Sequence, residues 1–406
     1  MTNSNENDKN ISCVSFVIVS NVLPEAIDLD ETGTQPTIDA KDQAADALDN
    51  FNHPRLRKAI ILKTLESKPE NISFQTPEEC QICLKSLYRD IHSEGLLDFL
   101  MTAWSRWDAL TEHGRDPGSS LNLGQGDGVI KPLIPTNMPL PRIDHQQNQF
   151  ASQNVMGQIG YYCTDMCTPI TDMLVNELKS DASIIQKSVG MSIENSQNAG
   201  FAYAIPTHPG HHAARDSFGG YCYLNQAAFA AKLFQSEKYG IEKVAILDID
   251  YHCGNGTISI FYNDPTVLVV SLHCDPNFEY PFHSGFAEQS CATTLNLPLA
   301  PKTTWKDGYR QLLKIALDKI SNTFKAQALV ISMGLDTHEG DPCAIRRAGF
   351  GLKGGDYLEM GLTIADGLSE QLPVVFIQEG GYRMDAIGEA ASDILLGFHH
   401  GRTKQQ

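Results

Sequence analysis

The sequence predicts a single α/β domain built on a parallel β-sheet with helices on both faces. Three observations carry that expectation. Five short runs, 202–206, 244–250, 267–273, 328–333 and 374–378, have the length and β-branched content of buried strands. Stretches of helical periodicity separate several of them, at 225–238, 305–324 and 355–368, which makes repeated β-α-β units. The strand runs are apolar throughout rather than alternating, the pattern of strands covered on both sides.

Taken in order, the chain opens with a polar, acidic stretch over residues 1–10. The apolar run that follows, 11–22, is too short to span a bilayer and has neither a basic leader nor a small-residue cleavage site. It reads as an edge or first strand over 14–20. Residues 23–50 are acidic (Glu25, Asp28, Asp30, Glu31, Asp39, Asp42, Asp46, Asp49), the composition of a surface excursion or a partly disordered segment. Residues 1–50 thus form an acidic N-terminal segment carrying a first strand, and 51–400 the catalytic domain. From His53 the pattern turns helical, with Leu56, Ile60, Ile61 and Leu65 on one face. A second helical run is expected over 77–107, its start marked by Thr76-Pro77-Glu78-Glu79. Dense glycine and proline over 114–150 predict a long loop at an active-site rim or a subunit contact. A further helix is expected over 165–179.

The bulk numbers narrow the class. A chain of 406 residues that is 42% hydrophobic can bury a sizeable core. Its net charge of −18 argues against nucleic-acid binding through phosphates and suits cationic partners such as polyamines or lysine-rich peptide tails. Ten cysteines in so long a chain are not a disulfide framework; they predict reduced thiols and a cytoplasmic enzyme. Nuclear residence or export by a specialised route stays open, as does homo-oligomerisation. Cys80-Gln-Ile-Cys83 has metal or redox spacing but no second pair nearby, and reads as structural.

Asp248, Asp250 and His252 stand at alternate positions, which on an extended chain places them on one face. Ionised carboxylates buried there are costly unless paired or bound to a metal. Taken alone, the motif fits equally well with acids that cap a helix or pair with lysine and arginine. The other strand ends decide. Thr207-His-Pro-Gly-His-His-Ala213, Ser271-Leu-His273 with Asp275, Gly334-Leu-Asp-Thr-His-Glu-Gly-Asp-Pro342 and Gln378-Glu-Gly-Gly-Tyr382 each place acid–base or metal-competent residues where ligands of open parallel sheets sit. The chemistry suggested is metal-assisted hydrolysis. Asp250, His252 and Asp336 would bind Zn²⁺ with one position open for water, and a histidine pair would supply base and acid. A tyrosine after Gly-Gly can approach a substrate carbonyl.

These motifs resemble the histone deacetylase and acetylpolyamine amidohydrolase family, zinc hydrolases of the arginase–deacetylase fold. The resemblance runs from about His53-Pro-Arg-Leu-Arg57 to about Leu396 and includes Gly219-Gly-Tyr-Cys-Tyr-Leu-Asn225. It implies Asp250, His252 and Asp336 as zinc ligands and His211 and His212 as a tandem acid–base pair. Asp248 would stand behind His211 and Asn255 behind His212; an asparagine at 255 is similar to class II deacetylases and their bacterial relatives. Tyr382 would stabilise the oxyanion, Tyr221 and Tyr280 would wall the substrate channel, and the Gly220 carbonyl would receive the substrate amide. A structural K⁺ would use Asp248, Asp250, His252, Ser271 and Leu272, and a second would involve Phe261, Asp264 and Val267. His273, His338, Cys222 and Cys274 read as supporting or packing residues. Cys253, Gln226 and Cys343 depart from the family's commoner residues.

The activity expected on this basis is zinc-dependent removal of acetyl groups from lysine side chains in proteins, histones included. The alternatives are an acetylpolyamine amidohydrolase and a catalytically weak relative that binds acetyl-lysine. Cys343, where a glutamate would read a distal ammonium, leans away from polyamines. Gly160-Tyr-Tyr162, Asp250-Tyr-His252 and the 114–150 insertion lean toward them. The sequence leaves Zn²⁺ against Fe²⁺ open.

Overall fold

The structure is a computed structural model that describes residues 16–27, 54–78, 83–111, 132–136, 152–196, 200–344 and 349–404. Eight strands form one sheet: β1 (Phe16–Val19), β2 (Ile72–Gln75), β3 (Ala202–Ala204), β4 (Val244–Asp248), β5 (Val267–Cys274), β6 (Thr294–Leu299), β7 (Ala328–Met333) and β8 (Val374–Gln378). Their order is β2-β1-β3-β8-β7-β4-β5-β6, and every pairing is parallel. Both faces are covered, as the apolar runs require. In β1, Phe16 and Ile18 enter one hydrophobic cluster and Val17 and Val19 the other. The period-2 alternation of a strand sends successive side chains to opposite layers.

The helices are α1 (Pro54–Glu66), α2 (Leu84–Tyr88), α3 (Glu94–Thr111), α4 (Val155–Tyr162), α5 (Leu174–Ser196), α6 (Gln226–Phe234), α7 (Asn255–Phe261), α8 (Tyr309–Asp318), α9 (Gly355–Asp366) and α10 (Ile387–Thr403). One layer holds α1, α8, α9 and α10; the other is built from α2 to α7. Asn225 caps α6 through its side-chain oxygen on the Ala228 N–H at 2.8 Å. Fully buried His92 ties the approach to α3 against α6. Its Nδ1 lies 2.8 Å from the Ala214 carbonyl, and its Nε2 accepts the Asn225 N–H at 2.9 Å. Burial pushes its pKa down to about 4, because both nitrogens are already used by the neutral ring.

Several boundaries differ from expectation. The first strand is not at an edge: β1 lies between β2 and β3, and the short β2 takes the edge. The run expected over 77–107 divides into α2 and α3, the latter opened by the Ser93 hydroxyl accepting from Leu96 N–H at 3.3 Å. The helix expected from 165 starts only at Leu174. Asp165 turns its carboxylate onto the Cys167 N–H at 2.7 Å, a local bond that competes with helix, and Pro169 then removes a donor. The helix expected over 305–324 starts at Tyr309 and ends in a π-helical turn over Lys319–Phe324. Strands β2 and β6, and helices α4 and α10, have no counterpart among the expected elements. Residues 28–50, Cys80 and most of 114–150 lie outside the described residues; Cys83 is exposed.

Candidate active site

The sheet order sets β3, β8, β7 and β4 side by side, so the segments leaving their carboxyl ends meet although the sequence scatters them from 205 to 382. Asp248 ends β4, and the chain beyond is not extended as the alternating pattern implied. Asp248 Oδ1 accepts the Asp250 N–H at 3.1 Å, and Asp250 Oδ1 accepts the His252 N–H at 2.8 Å. These are two successive aspartate turns, each carboxylate capping the amide two residues on. They send Asp248 and the pair Asp250/His252 to different tasks.

Asp250, His252 and Asp336 offer ligand atoms that all lie within 4.8 Å of one another. Nδ1 of His252 stands 3.3 Å from Asp250 Oδ1 and 3.0 Å from Asp336 Oδ2. The backbone fixes the outer oxygens: Gly380 N–H donates to Asp250 Oδ2 at 2.9 Å, and Tyr251 N–H to Asp336 Oδ1 at 3.0 Å. Two glycines make room. A Cβ on Gly380 would lie 2.6 Å from oxygens of both aspartates, and one on Gly334 would lie 2.0 Å from Asp250 Oδ2. Among the described residues, both carboxylates are buried with histidine rings as their only cationic partners. Burial, then the Asp250 charge, pushes Asp336 up to about 7. Two facing carboxylates and an imidazole nitrogen are a donor set a divalent cation satisfies.

The two histidines of the tandem are held differently. His211 Nδ1 lies 3.0 Å from Asp248 Oδ2 in a fully buried pair. Burial alone would lower its pKa, but the Asp250 and Asp248 carboxylates outweigh that and raise it to about 10. His212 Nδ1 lies 2.7 Å from the Asn255 side-chain oxygen. Burial, then the charges of His211 and His252, hold it well below the ordinary histidine range. The same two-residue repeat therefore contains one ring that keeps its charge and one that stays neutral.

The aromatic residues close round them. Tyr280 stands edge-on to His212 with ring centroids 4.8 Å apart, and Tyr221 lies 5.8 Å from the Tyr382 ring. Gly220 lies against the same ring: a Cβ there would stand 2.4 Å from the His212 ring, so the chain passes directly against it. Tyr382 is buried, and its phenol is pushed well above the usual range by that burial.

Other residues near the site carry weight that sequence patterns did not reveal. The Arg57 guanidinium lies 4.7 Å from the centroid of the Tyr382 ring and donates to the Glu379 carbonyl. Asp341 accepts the N–H groups of Tyr382 at 2.7 Å and Arg383 at 3.0 Å. Glu379 accepts from Gly210 at 2.6 Å, His211 at 3.2 Å and the Ser332 hydroxyl at 2.9 Å. All three lie within stretches that the resemblance quoted, Arg57 in 53–57, Asp341 in 334–342 and Glu379 in 378–382, but no role was read for them there.

Ser271 is the register partner of Asp248, with Leu272 next along β5, so the residues implied for one K⁺ start from adjacent strands. Asp264, implied in a second, pairs with Lys232 at 3.0 Å. His273 bridges Ser271 Oγ and the Gly285 carbonyl, both at 2.8 Å, and His338 stacks on Tyr357. Cys222 and Cys274 are buried thiols.

Fold and site together define a parallel α/β protein whose candidate metal ligands and paired histidines gather at the carboxyl edge of the central strands. The histone deacetylase domain model matches residues 51–398. The chain is 36% identical over 315 residues to acetylpolyamine amidohydrolase 2 of Pseudomonas aeruginosa, covering 76% of this chain and 81% of that protein. It is equally 36% identical over 316 residues to the acetylpolyamine amidohydrolase of Mycoplana ramosa, with the same coverage. The fold matches the crystal structure of an acetylpolyamine aminohydrolase from Burkholderia pseudomallei with a TM-score of 0.70 and 22% identity, covering 95% of this chain and 99% of that one. The chain belongs to the histone deacetylase domain family and is an amide hydrolase of the deacetylase class.

Proposed function

We propose that this chain is a zinc-dependent amidohydrolase that removes the acetyl group from N-acetylated polyamines, releasing acetate and a free amine. The observation that carries the reading is the likeness over three quarters of the chain to relatives named acetylpolyamine amidohydrolases. It reverses the preference for acetyl-lysine in proteins, which leaned on the single residue Cys343.

Asp250, His252 and Asp336 would hold the zinc. When bound there, zinc supplies a Lewis acid and lowers the pKa of water at its open position. His212 is the general base. An amide oxygen can only accept, so the bond to Asn255 keeps the proton on Nδ1 and leaves Nε2 with a free lone pair. His211, held charged by the Asp250 and Asp248 carboxylates, sits 4.0 Å away ring to ring and keeps His212 from retaining a proton. The proton that His212 takes from the attacking water passes to the amine nitrogen as the C–N bond breaks, so that acetate and the free amine leave. Tyr382 donates its hydroxyl to the developing oxyanion, with its ring held by Arg57 and its backbone by Asp341. Tyr221 and Tyr280 flank the aminoalkyl chain, and the Gly220 carbonyl accepts the substrate amide N–H. A structural K⁺ would be held by Asp248, Asp250, His252, Ser271 and Leu272, which start from the adjacent strands β4 and β5.

The test compares kcat/KM on N-acetylputrescine and acetylspermidine with that on acetylated histone peptides. The polyamines are expected to be preferred by orders of magnitude, and a peptide preference of that size sinks the reading.

A further inference from the structure

The wall that carries Gly220 and Tyr221 has an unusual backbone. Gly219 and Cys222 exchange both main-chain hydrogen bonds, at 3.1 and 3.0 Å, so the two residues between them form a tight turn. Both have positive φ, +58° at Gly220 and +66° at Tyr221. That is the geometry of a type I′ turn, for which Asn-Gly is favoured because side chains beyond Asn, Asp and Gly rarely sit there. A tyrosine in the left-handed region persists only where its surroundings hold it.

The hold comes from the segment that was expected to be helical. The Asp165 carboxylate accepts the Gly220 N–H through Oδ2 and the Cys167 N–H through Oδ1. Buried Thr168 accepts the Tyr221 N–H at 2.9 Å and donates its own hydroxyl to Asp165 at 3.0 Å. Both outward amides of the turn are thereby taken by one Asp–Thr pair, while the His212 ring fills the space on the opposite side of Gly220. The Gly220 carbonyl meets only the weak Cys222 thiol donor, at 3.3 Å, among the described residues. If the turn relaxed toward negative φ at Tyr221, the Gly220–Tyr221 peptide would rotate and carry that carbonyl with it.

We infer that Asp165, acting with Thr168, is a positioning residue that aims the Gly220 carbonyl and so sets the enzyme's selectivity for acyl donors bearing an N–H. The substrate contact rests on the function proposed above; the clamp on the turn does not. The pair acts on binding of the amide rather than on the chemical step.

The test uses full-length, zinc-loaded enzyme and the variants Asp165→Ala, Thr168→Val and Thr168→Ser. The first readout is hydrogen exchange at the amides of Gly220 and Tyr221, with β4 amides as the control for global folding. The second is kcat and KM on N-acetylputrescine and on 4-aminobutyl acetate, the ester that lacks the N–H. Asp165→Ala and Thr168→Val are expected to speed exchange at the two amides at least about tenfold. They are also expected to raise KM for the amide about tenfold, with kcat and the ester KM changing less than about threefold. Thr168→Ser, which keeps the hydroxyl, restores wild-type values. Unchanged exchange, or amide and ester KM rising together, overturns the inference. A wild-type enzyme that fails to cleave the amide refutes the proposed function instead, while exchange still decides the clamp.

Discussion

Replacing Gly380 by alanine tests the metal site through geometry alone. Gly380 is not among the residues of positive φ, so alanine meets no backbone strain there. Its Cβ, however, would lie 2.6 Å from Asp250 Oδ2 and 2.6 Å from Asp336 Oδ2, where ordinary contact begins at 3.4 Å. Each of these oxygens must retreat by about 0.8 Å, the difference between 3.4 and 2.6 Å, which displaces the Asp336 oxygen that faces His252 and swings the Asp250 carboxylate, whereas metal–ligand distances tolerate only about 0.2 Å. The Gly380 N–H that fixes Asp250 moves with it. Zinc affinity is therefore expected to fall at least about 10- to 100-fold, the loss typical of displaced ligand support. The assay is zinc content after dialysis against a graded chelator, followed by turnover at saturating zinc. Gly355→Ala is the control, since nothing lies within 4 Å of its Cβ position and its φ is not positive. A Gly380→Ala protein that binds one zinc with wild-type affinity would refute the assignment of Asp250 and Asp336 as ligands.

Tyr382→Phe keeps the ring under Arg57 and removes only a hydroxyl, so Tm should stay within about 2 °C while kcat falls on the order of 10²–10³; near-full activity would remove Tyr382 from the mechanism. His92, whose ring partners are the Ala214 carbonyl and the Asn225 N–H rather than the candidate metal ligands, gives a pH prediction. Its folded pKa of about 4 lies below the ordinary 6.5, so the unfolded chain binds the extra proton between those values. Stability is then complete above about pH 6.5 and lost as pH falls toward 4, by about 3 kcal/mol from this group. Urea titrations across that window should show His92→Gln with a shallower pH slope than wild type, and an identical slope would count against the assignment.

Residue types and local order determined much of this protein. The apolar runs specified buried parallel strands, because only strands covered on both faces can lack a polar side. The chemistry at their ends, from His211 and His212 to Tyr382, was legible because buried charges at a strand end need a partner. The tertiary structure decided what local rules cannot reach. The order β3-β8-β7-β4 that brings His211, Tyr382, Asp336 and Asp250 together is a long-range pairing with no local signature. The aspartate turns after Asp248, and the Asp165 turn that displaced a helix, arose where a side chain outcompeted the backbone periodicity that was read. Arg57 and Asp341 act on Tyr382 across 325 and 41 residues of chain, so no spacing could announce them. The divergent fates of His211 and His212 depend on the charges each buried ring meets, the Asp250 and Asp248 carboxylates for one and the neighbouring histidines His211 and His252 for the other. Adjacent, identical residues acquire different protonation because the fold, not the sequence around them, sets their electrostatic surroundings.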